Sequence, residues 1–523
     1  MTAITAQALK HHLANNEQEI AFLDVRELGE FGLGHPFHAV NIPLSRLEAC
    51  IGRLVPRHGV PIVVTDERDE GRARYAVRRL QSLGYCKLSF LSGGVKAWQA
   101  AGYGVFSGVN VVSKTFGELV HKCFSTPPIN ASTLADWKEQ GKSFFVIDGR
   151  PIDEYHKMNI PGGICCPNGE LAKRLSSILD GDTTSPVVIN CAGRTRSIIG
   201  AQTLKWLDID NPVFALENGT QGWRLAGFEL EHGSTRHYPR VVRSSASSGA
   251  AARQLAMKHG AQSIDTRTAQ SWLDDDQRTT YIFDVRSAEE YQHATLNGAV
   301  HAPGGQLIQA TDQWVGVRGA RLLLIDDDEC RAPLTATWLT LMGFETAWLC
   351  GGTKQWSGLV SCVERTMLSF ALTAPPASNL EMAMDPNTLL LDFRPGMKFR
   401  KVHLPGSRWV NRSILKCQLS EFDRNQLVVL VGDADGAACL EPDLVMLGFK
   451  RVAWLRDDFD TWEKNGVELE STPNYPGDSC CIDYLFFVHD RHDGNFEASR
   501  RYLAWETGLL AQLDAQERNV FNI

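Results

Sequence analysis

The sequence predicts an α/β chain of four tandem units, each a parallel sheet flanked by helices, with a helical extension at the C-terminus. Three observations carry this. An apolar strand ending in Asp-x-Arg occurs four times, at Asp24-Val-Arg26, Asp148-Gly-Arg150, Asp284-Val-Arg286 and Asp392-Phe-Arg394. A second apolar, β-branched run follows each, at residues 61–65, 187–190, 322–325 and 427–431. Each of these then runs into a helix that stops at Leu83-Gly84-Tyr85, Trp206-Leu207-Asp208, Met342-Gly343-Phe344 or Leu447-Gly448-Phe449. Strands alternating with helices at crossover spacing build a parallel sheet covered on both faces.

The remaining elements recur in the same order. Asp-x-Arg is followed by a charged-aromatic pair: Glu30-Phe31, Glu154-Tyr155, Glu290-Tyr291 and Lys398-Phe399. Next comes a turn: Asn41-Ile-Pro43, Asn159-Ile-Pro-Gly162, Asn297-Gly-Ala299 and His403-Leu-Pro-Gly406. Three units close on a Gly-containing turn before Trp98, Trp223 or Trp356; the fourth keeps Trp462 but has Asp457-Asp458 in place of the glycines. The repeat is too long for a solenoid, so four separate domains are expected. Composition shifts at residues 244–249 (Ser-Ser-Ala-Ser-Ser-Gly) and 373–378 (Thr-Ala-Pro-Pro-Ala-Ser) read as linkers. The last segment has no counterpart in the repeats. Its helix, residues 495–513, carries Tyr502, Leu503, Leu509, Leu510 and Leu513 on an apolar face expected to dock on a domain, with a homo-oligomer contact as the alternative.

At 523 residues the chain exceeds a single ordinary core. A net charge of −8 argues against a nucleic-acid surface, and no apolar run is long enough to span a membrane. Residues 1–21 are polar and lack the apolar core of a signal peptide. Thirteen scattered cysteines with no C-x-x-C pair fit a reducing, cytoplasmic setting, and no metal or organic cofactor is expected.

The chemistry concentrates at Cys191-Ala-Gly-Arg-Thr-Arg196, between the strand at 187–190 and a helix expected over 197–206. A thiol placed there faces backbone N–H groups and the positive end of a helix, which favour thiolate and hold an anion attached to sulfur. Arg194 and Arg196 add two permanent cations. Where this unit has Cys191, the others have Asp66, Asp326 and Gly432-Asp433, so one catalytic and three degenerate units are expected. Cys330 falls late in the third loop beside acids that raise a thiol's pKa.

The combination of Asp-x-Arg-x-x-x-Glu-[Phe/Tyr], Asn-x-Pro-Gly, strand-Cys-loop-helix and Gly-Gly-x-x-x-Trp resembles the rhodanese family of sulfurtransferases, four times over nearly the whole chain. The resemblance implies domains at 1–108, 125–235 (catalytic), 255–362 and 376–475, with the extension at 476–523. It also implies a five-stranded parallel sheet per domain and a persulfide on Cys191. A loop of six residues argues against the related phosphatases, whose loop is longer by one, and so against phosphate-ester or arsenate chemistry. The implied reaction moves sulfane sulfur from thiosulfate to cyanide or a thiol. Alternatives are 3-mercaptopyruvate as donor, or a persulfide carrier serving a protein partner. The cationic loop favours thiosulfate.

Ala192, Gly193, Arg194, Thr195, Arg196 and Ser197 are the expected substrate-binding residues, with Asn168 and Glu170 lining the pocket from the loop after the Pro-Gly turn. The loop at 301–306 of the third unit is a candidate to reach the site from its neighbour. Because Asp-x-Arg recurs in units without a nucleophile, a structural role is expected, with Arg150 pairing with Glu154 at helical spacing. Trp223 reads as core. Cys165 and Cys166 read as buried packing, with resolution of a persulfide as the alternative.

Overall fold

The computed structural model describes residues 2–14, 18–239, 246–360, 372–490 and 495–523. Ser244 and Ser245 of the expected linker, and the end of the third expected domain at 361–362, lie outside the described residues.

Four parallel sheets form around the apolar runs, whose residues are almost all buried. In the second, the strand order is Pro128–Ile129, Val213–Leu216, Val187–Asn190, Phe145–Asp148 and Ile164–Cys165. Val187–Asn190 is therefore central, with Asn190 opposite Asp148 and Val187 opposite Val213. A strand flanked on both sides and covered on both faces must be apolar along its length, which is why Val187-Val188-Ile189 shows no alternation. The first and third sheets repeat this order. The fourth has four strands; where its fifth would lie, Ala377 makes a single parallel bridge to Trp454. A short antiparallel pair, Thr295–Leu296 with Leu359–Val360, stands beside the third sheet's strands in sequence.

The chain divides into two compact units. One comprises Met1–Asn15, Ile20–Val109 and Leu368–Phe486, and holds the first and fourth sheets. The other comprises Asn16–Glu19, Asn110–Met367 and Phe487–Ile523, and holds the second and third. The C-terminal extension is accordingly not one piece. In the first unit, Gly29 N–H donates to the carbonyl of Ile482 at 2.8 Å and Leu485 is buried. In the second, the helix Phe496–Gly508 buries Tyr502 and Leu503, and the following 3-10 turn, Leu509–Gln512, buries Leu509. Asn495 caps this helix, its side chain accepting from Ala498 N–H. Leu510 and Leu513 are only half-buried.

The Asp-x-Arg motif performs one task in all four repeats. Arg150 grips Asp148 through Nε and Nη2, at 2.8 and 2.7 Å, and its Nη2 also donates to the carbonyl of Met158 at 2.6 Å. Arg26, Arg286 and Arg394 bind Asp24, Asp284 and Asp392 through the same atoms, and the carbonyls of Gly34, Ala294 and Val402. The expected pairing of Arg150 with Glu154 is thus corrected. The fork reaches back to the carboxylate two residues earlier, because a bidentate carboxylate and a buried carbonyl together provide acceptors for Nε and Nη2 of a guanidinium that has left water. Trp223 packs among Val146, Ile160 and Val188, as expected of a core residue.

A Cβ on Gly29 would stand 2.6 Å from the carbonyl oxygens of both Ile482 and Tyr484. Gly29→Ala is expected to cost about 1–3 kcal/mol, the usual penalty for overpacking against atoms that cannot rotate away. A lowered urea midpoint, with thiol reactivity at Cys191 unchanged, is the readout.

Candidate active site

Cys191 sits at the carboxyl end of the central strand, and the helix Thr195–Trp206 begins four residues later. Carboxyl ends of parallel strands are where such sheets gather their functional loops. The thiol is 2% exposed, and its Sγ lies 3.7 Å from Ser197 Oγ, which donates to the carbonyl of Arg194 at 2.7 Å. Helix geometry leaves the first-turn N–H groups without intrahelical partners, and they face the loop.

The Gly-containing turn closes the loop from the other side. Asn218 and Gly219 both adopt positive φ, 61° and 55°, so the chain doubles back against the Cys191 loop. A Cβ on Gly219 would lie 2.2 Å from the carbonyl of Cys191, so only glycine fits there. Thr220 N–H donates to that carbonyl at 2.9 Å, and Gln221 Nε2 donates to the carbonyl of Ala192 at 3.0 Å.

The two loop arginines are held by carboxylates. Arg194 pairs with Glu118 at 2.5 and 3.0 Å and reaches Asn218 Oδ1 at 3.3 Å. Arg196 forms a two-point pair with Glu154 at 2.8 Å and donates to Gln306 Oε1 at 3.3 Å. The loop at 301–306 therefore does reach the loop of the second repeat. The Arg196–Glu154 pair has counterparts in Arg72–Glu30 and Arg331–Glu290, in repeats that lack the cysteine. Arg194 has none, since Glu70 and Glu329 occupy its place one position before the residue preceding Arg72 and Arg331.

The other expected site residues separate into two groups. Asn168 Nδ2 donates to the carbonyl of Arg196 at 2.7 Å, so Asn168 supports the loop. Glu170 faces elsewhere: it pairs with Arg174 at 3.1 Å and with Arg331 of the third repeat at 3.4 Å. Its place one helical turn before Arg174 explains this. Burial, with Asp148 adding to it, pushes the Cys165 thiol up to about 12, and Cys166 is raised well above its ordinary value by burial and Glu170. Cys330 is likewise pushed up to about 12 by burial and Asp326. Protonated, buried thiols are packing groups, and none of the three is a ready resolving thiolate. No group of three or more His, Cys, Asp or Glu suited to a metal ion occurs among the described residues.

Sequence reasoning missed two elements that wall the site. The helix Val111–Phe124 supplies Glu118 and Lys114, and its Gly117 lets Thr195 approach; a Cβ there would meet Thr195 Cγ2 at 2.7 Å. The C-terminal helix supplies Glu506, whose Oε1 accepts from Thr195 Oγ1 at 2.8 Å and from Lys114 Nζ at 3.1 Å. A Cβ on Gly193 would lie 3.0 Å from Glu506 and 3.5 Å from Tyr502, so this helix covers the middle of the loop. Both helices lie outside the repeat pattern. The available signal was weak: an apolar spacing of Val111, Phe116, Leu119 and Val120 before the second repeat.

The rhodanese-like domain model matches residues 5–101, 130–226, 252–359 and 376–465. The chain belongs to the rhodanese-like family. A crystal structure of thiosulfate sulfurtransferase from Pseudomonas aeruginosa matches it over 100% of both chains, with 36% identity and a TM-score of 0.89. Two curated relatives match one stretch each. The putative sulfur carrier protein YrkF of Bacillus subtilis is 32% identical over 81 residues, 16% of this chain and 42% of that protein. The HTH-type transcriptional regulator Rv0324 of Mycobacterium tuberculosis is 35% identical over 109 residues, 20% of this chain and 47% of that protein. The chain thus spans less than half the length of either. No helix among the described residues is long and apolar enough to cross a membrane.

Glu506 is fully buried, and Lys114 nearly so. Removing one partner of a buried ion pair leaves the other charge uncompensated, so Glu506→Gln is expected to cost about 3 kcal/mol. Adding Lys114→Met is expected to recover much of that loss, read as the coupling energy in a double-mutant denaturation cycle.

Proposed function

We propose that the chain is a thiosulfate sulfurtransferase in which Cys191 carries the sulfane sulfur as a persulfide, with one catalytic repeat and three degenerate ones. One observation carries this reading. In the third repeat, Asp326 stands at the place of Cys191, and its Oδ2 accepts the N–H groups of Cys330, Arg331 and Ala332 at 2.9, 2.7 and 3.3 Å. In the first repeat, Asp66 accepts from Asp69 and Ala73 at 2.6 and 2.9 Å. The loop is therefore an anion receptor at that position. A carboxylate oxygen lies two bonds beyond Cβ, as does the outer sulfur of a cysteine persulfide, so an Asp carboxylate occupies the place a persulfide anion would take. By this correspondence the N–H groups of Thr195, Arg196 and Ser197 receive the outer sulfur.

The steps follow. The thiolate of Cys191 attacks the sulfane sulfur of thiosulfate, the S–S bond to the sulfonate breaks, and sulfite leaves with the bonding pair. The persulfide anion rests on the loop amides. A thiol or cyanide then takes the outer sulfur and restores the thiolate. Arg194, the cation peculiar to this repeat, supports the arrival of an anion; Arg196, whose pair with a Glu recurs without a nucleophile, anchors the loop. The full-length likeness to the Pseudomonas aeruginosa enzyme supports thiosulfate over 3-mercaptopyruvate. The cover of Tyr502 and Glu506 over Gly193 favours a small donor over a protein carrier cycle.

Incubation with thiosulfate is expected to add one sulfur, about 32 Da, to the intact chain, lost on adding cyanide and absent in Cys191→Ser. Sulfite release beyond one equivalent per chain with acceptor present distinguishes turnover from stoichiometric carriage. An adduct that persists in Cys191→Ser overturns the assignment of the nucleophile.

A further inference from the structure

We infer that the sulfonate end of the donor is bound by Arg150 Nη1 and Thr220 Oγ1, so that Arg150, besides tying its loop, is a substrate-binding residue of the catalytic repeat. This rests on the reading of Cys191 as the persulfide site and adds where the second charge of a compact dianion is held.

The repeats differ at one atom of the Asp-x-Arg fork. Nε and Nη2 are spent in the same way in all four, leaving Nη1. In the first repeat Nη1 of Arg26 donates to Glu67 at 2.6 Å, and in the third Nη1 of Arg286 donates to Asp327 at 2.6 Å. Glu67 and Asp327 directly follow Asp66 and Asp326, so each acid is the second residue of its loop. In the fourth repeat the Arg394 guanidinium carbon stands 3.7 Å over the ring of Phe459. In the catalytic repeat the second residue is Ala192, which has no group to offer, and Arg150 Nη1 has no hydrogen-bond or ion-pair partner among the described residues. Yet Arg150 is 2% exposed. Nη1 keeps some of that small remaining surface, so this donor is open to an acceptor that enters the loop.

The third repeat shows what acceptor fits. There the Asp327 carboxylate lies between Arg286 Nη1 and Thr353, whose N–H and Oγ1 both donate to it at 2.7 Å. Thr220 is the counterpart of Thr353, following Gly219 as Thr353 follows Gly352, and it is buried; its N–H is spent on the carbonyl of Cys191, while its Oγ1 makes a long 3.4 Å bond to the carbonyl of Ala192 that a sulfonate oxygen would replace. The degenerate loops thus fill their pockets with two adjacent carboxylates, Asp66-Glu67 and Asp326-Asp327, one on the loop amides and one on the fork arginine. The catalytic loop replaces both by Cys191-Ala192, neither carrying a carboxylate. A dianion with its charges on neighbouring groups restores both interactions. Thiosulfate is such a dianion, its sulfane sulfur going to the amides and its sulfonate to Arg150 and Thr220. When the S–S bond breaks, the sulfite that leaves departs from Arg150 while the persulfide stays on the amides.

Sulfate is the probe, because it carries the same tetrahedral dianionic group and transfers no sulfur. Cys191 is alkylated with neutral iodoacetamide at increasing sulfate, and the rate is followed by intact mass. Sulfate is expected to protect the wild-type thiol. Ala192→Asp, which rebuilds the Asp327–Arg286 contact of the third repeat, is expected to weaken that protection by about tenfold or more, the worth of one charge-assisted hydrogen bond. Ala192→Ser is expected to stay close to wild type. Arg150→Lys, which keeps the charge but drops Nη1, is expected to weaken protection in the same direction; Ala192→Asp keeps the test decisive if the lysine variant does not fold. Equal protection of wild type and Ala192→Asp, or no protection of wild type, overturns the assignment. Neither result touches the persulfide reading, which the mass shift with thiosulfate decides separately.

Discussion

The carboxylate at the end of one strand, gripped by the arginine two residues later, organises every repeat. A buried guanidinium needs partners for its donors, and the Asp–Arg fork supplies Nε and Nη2 with a bidentate pair and one carbonyl. The carbonyl belongs to the chain eight residues further on, so the motif fixes the path of the following helix as well as the strand end. In the second repeat, Asp148 also accepts from Asn190 Nδ2 at 2.7 Å, which ties the fork to the residue preceding Cys191. Cys191 is thus placed by an interaction that belongs to the fold. The functional reading of Asp-x-Arg and its structural reading are compatible, because one guanidinium nitrogen is left over.

The four loops are variations on one receptor. The first and third seal it with their own carboxylates; in the fourth, Asp433 accepts from Gly436 N–H at 2.8 Å and a Cβ on Gly432 would meet the Phe393 ring at 2.5 Å. An acid in the receptor satisfies the same amides that an anionic reaction intermediate would, so losing the cysteine to Asp gives a loop that is self-satisfied and closed to substrate. This accounts for the acidic character of the degenerate loops better than general surface charge does. It also separates the two loop arginines. Arg196 keeps a pairing found in silent repeats, and Arg194 answers to Glu118 from outside the repeat.

Much of the fold was legible in the chain because it is stated four times. A single strand-Asp-x-Arg is ambiguous; four with the same following turn, strand and helix are not, and the parallel sheets and the core placement of Trp223 follow from that pattern. Cys191 was legible for the same reason, as the one loop of four headed by a cysteine. Glu170 was misread as a pocket residue because spacing along the chain does not say which side of a helix meets the neighbouring repeat. The partner of Arg150 was misread because the periodicity of a helix was applied to a residue that precedes one.

By itself, then, the sequence determined the sheets, their number and the place of Cys191 at the head of its loop, since strand patterning and the position of a cysteine before a helix are local properties. Only the tertiary structure decided that Glu118 and Glu506 converge on that loop from elements far away in the chain. It alone showed that the first and fourth sheets share one unit and the second and third the other. The physical reason is the same in each case. A buried charge must find a counter-charge in space, and the chain order of the two partners places no constraint on where that partner comes from.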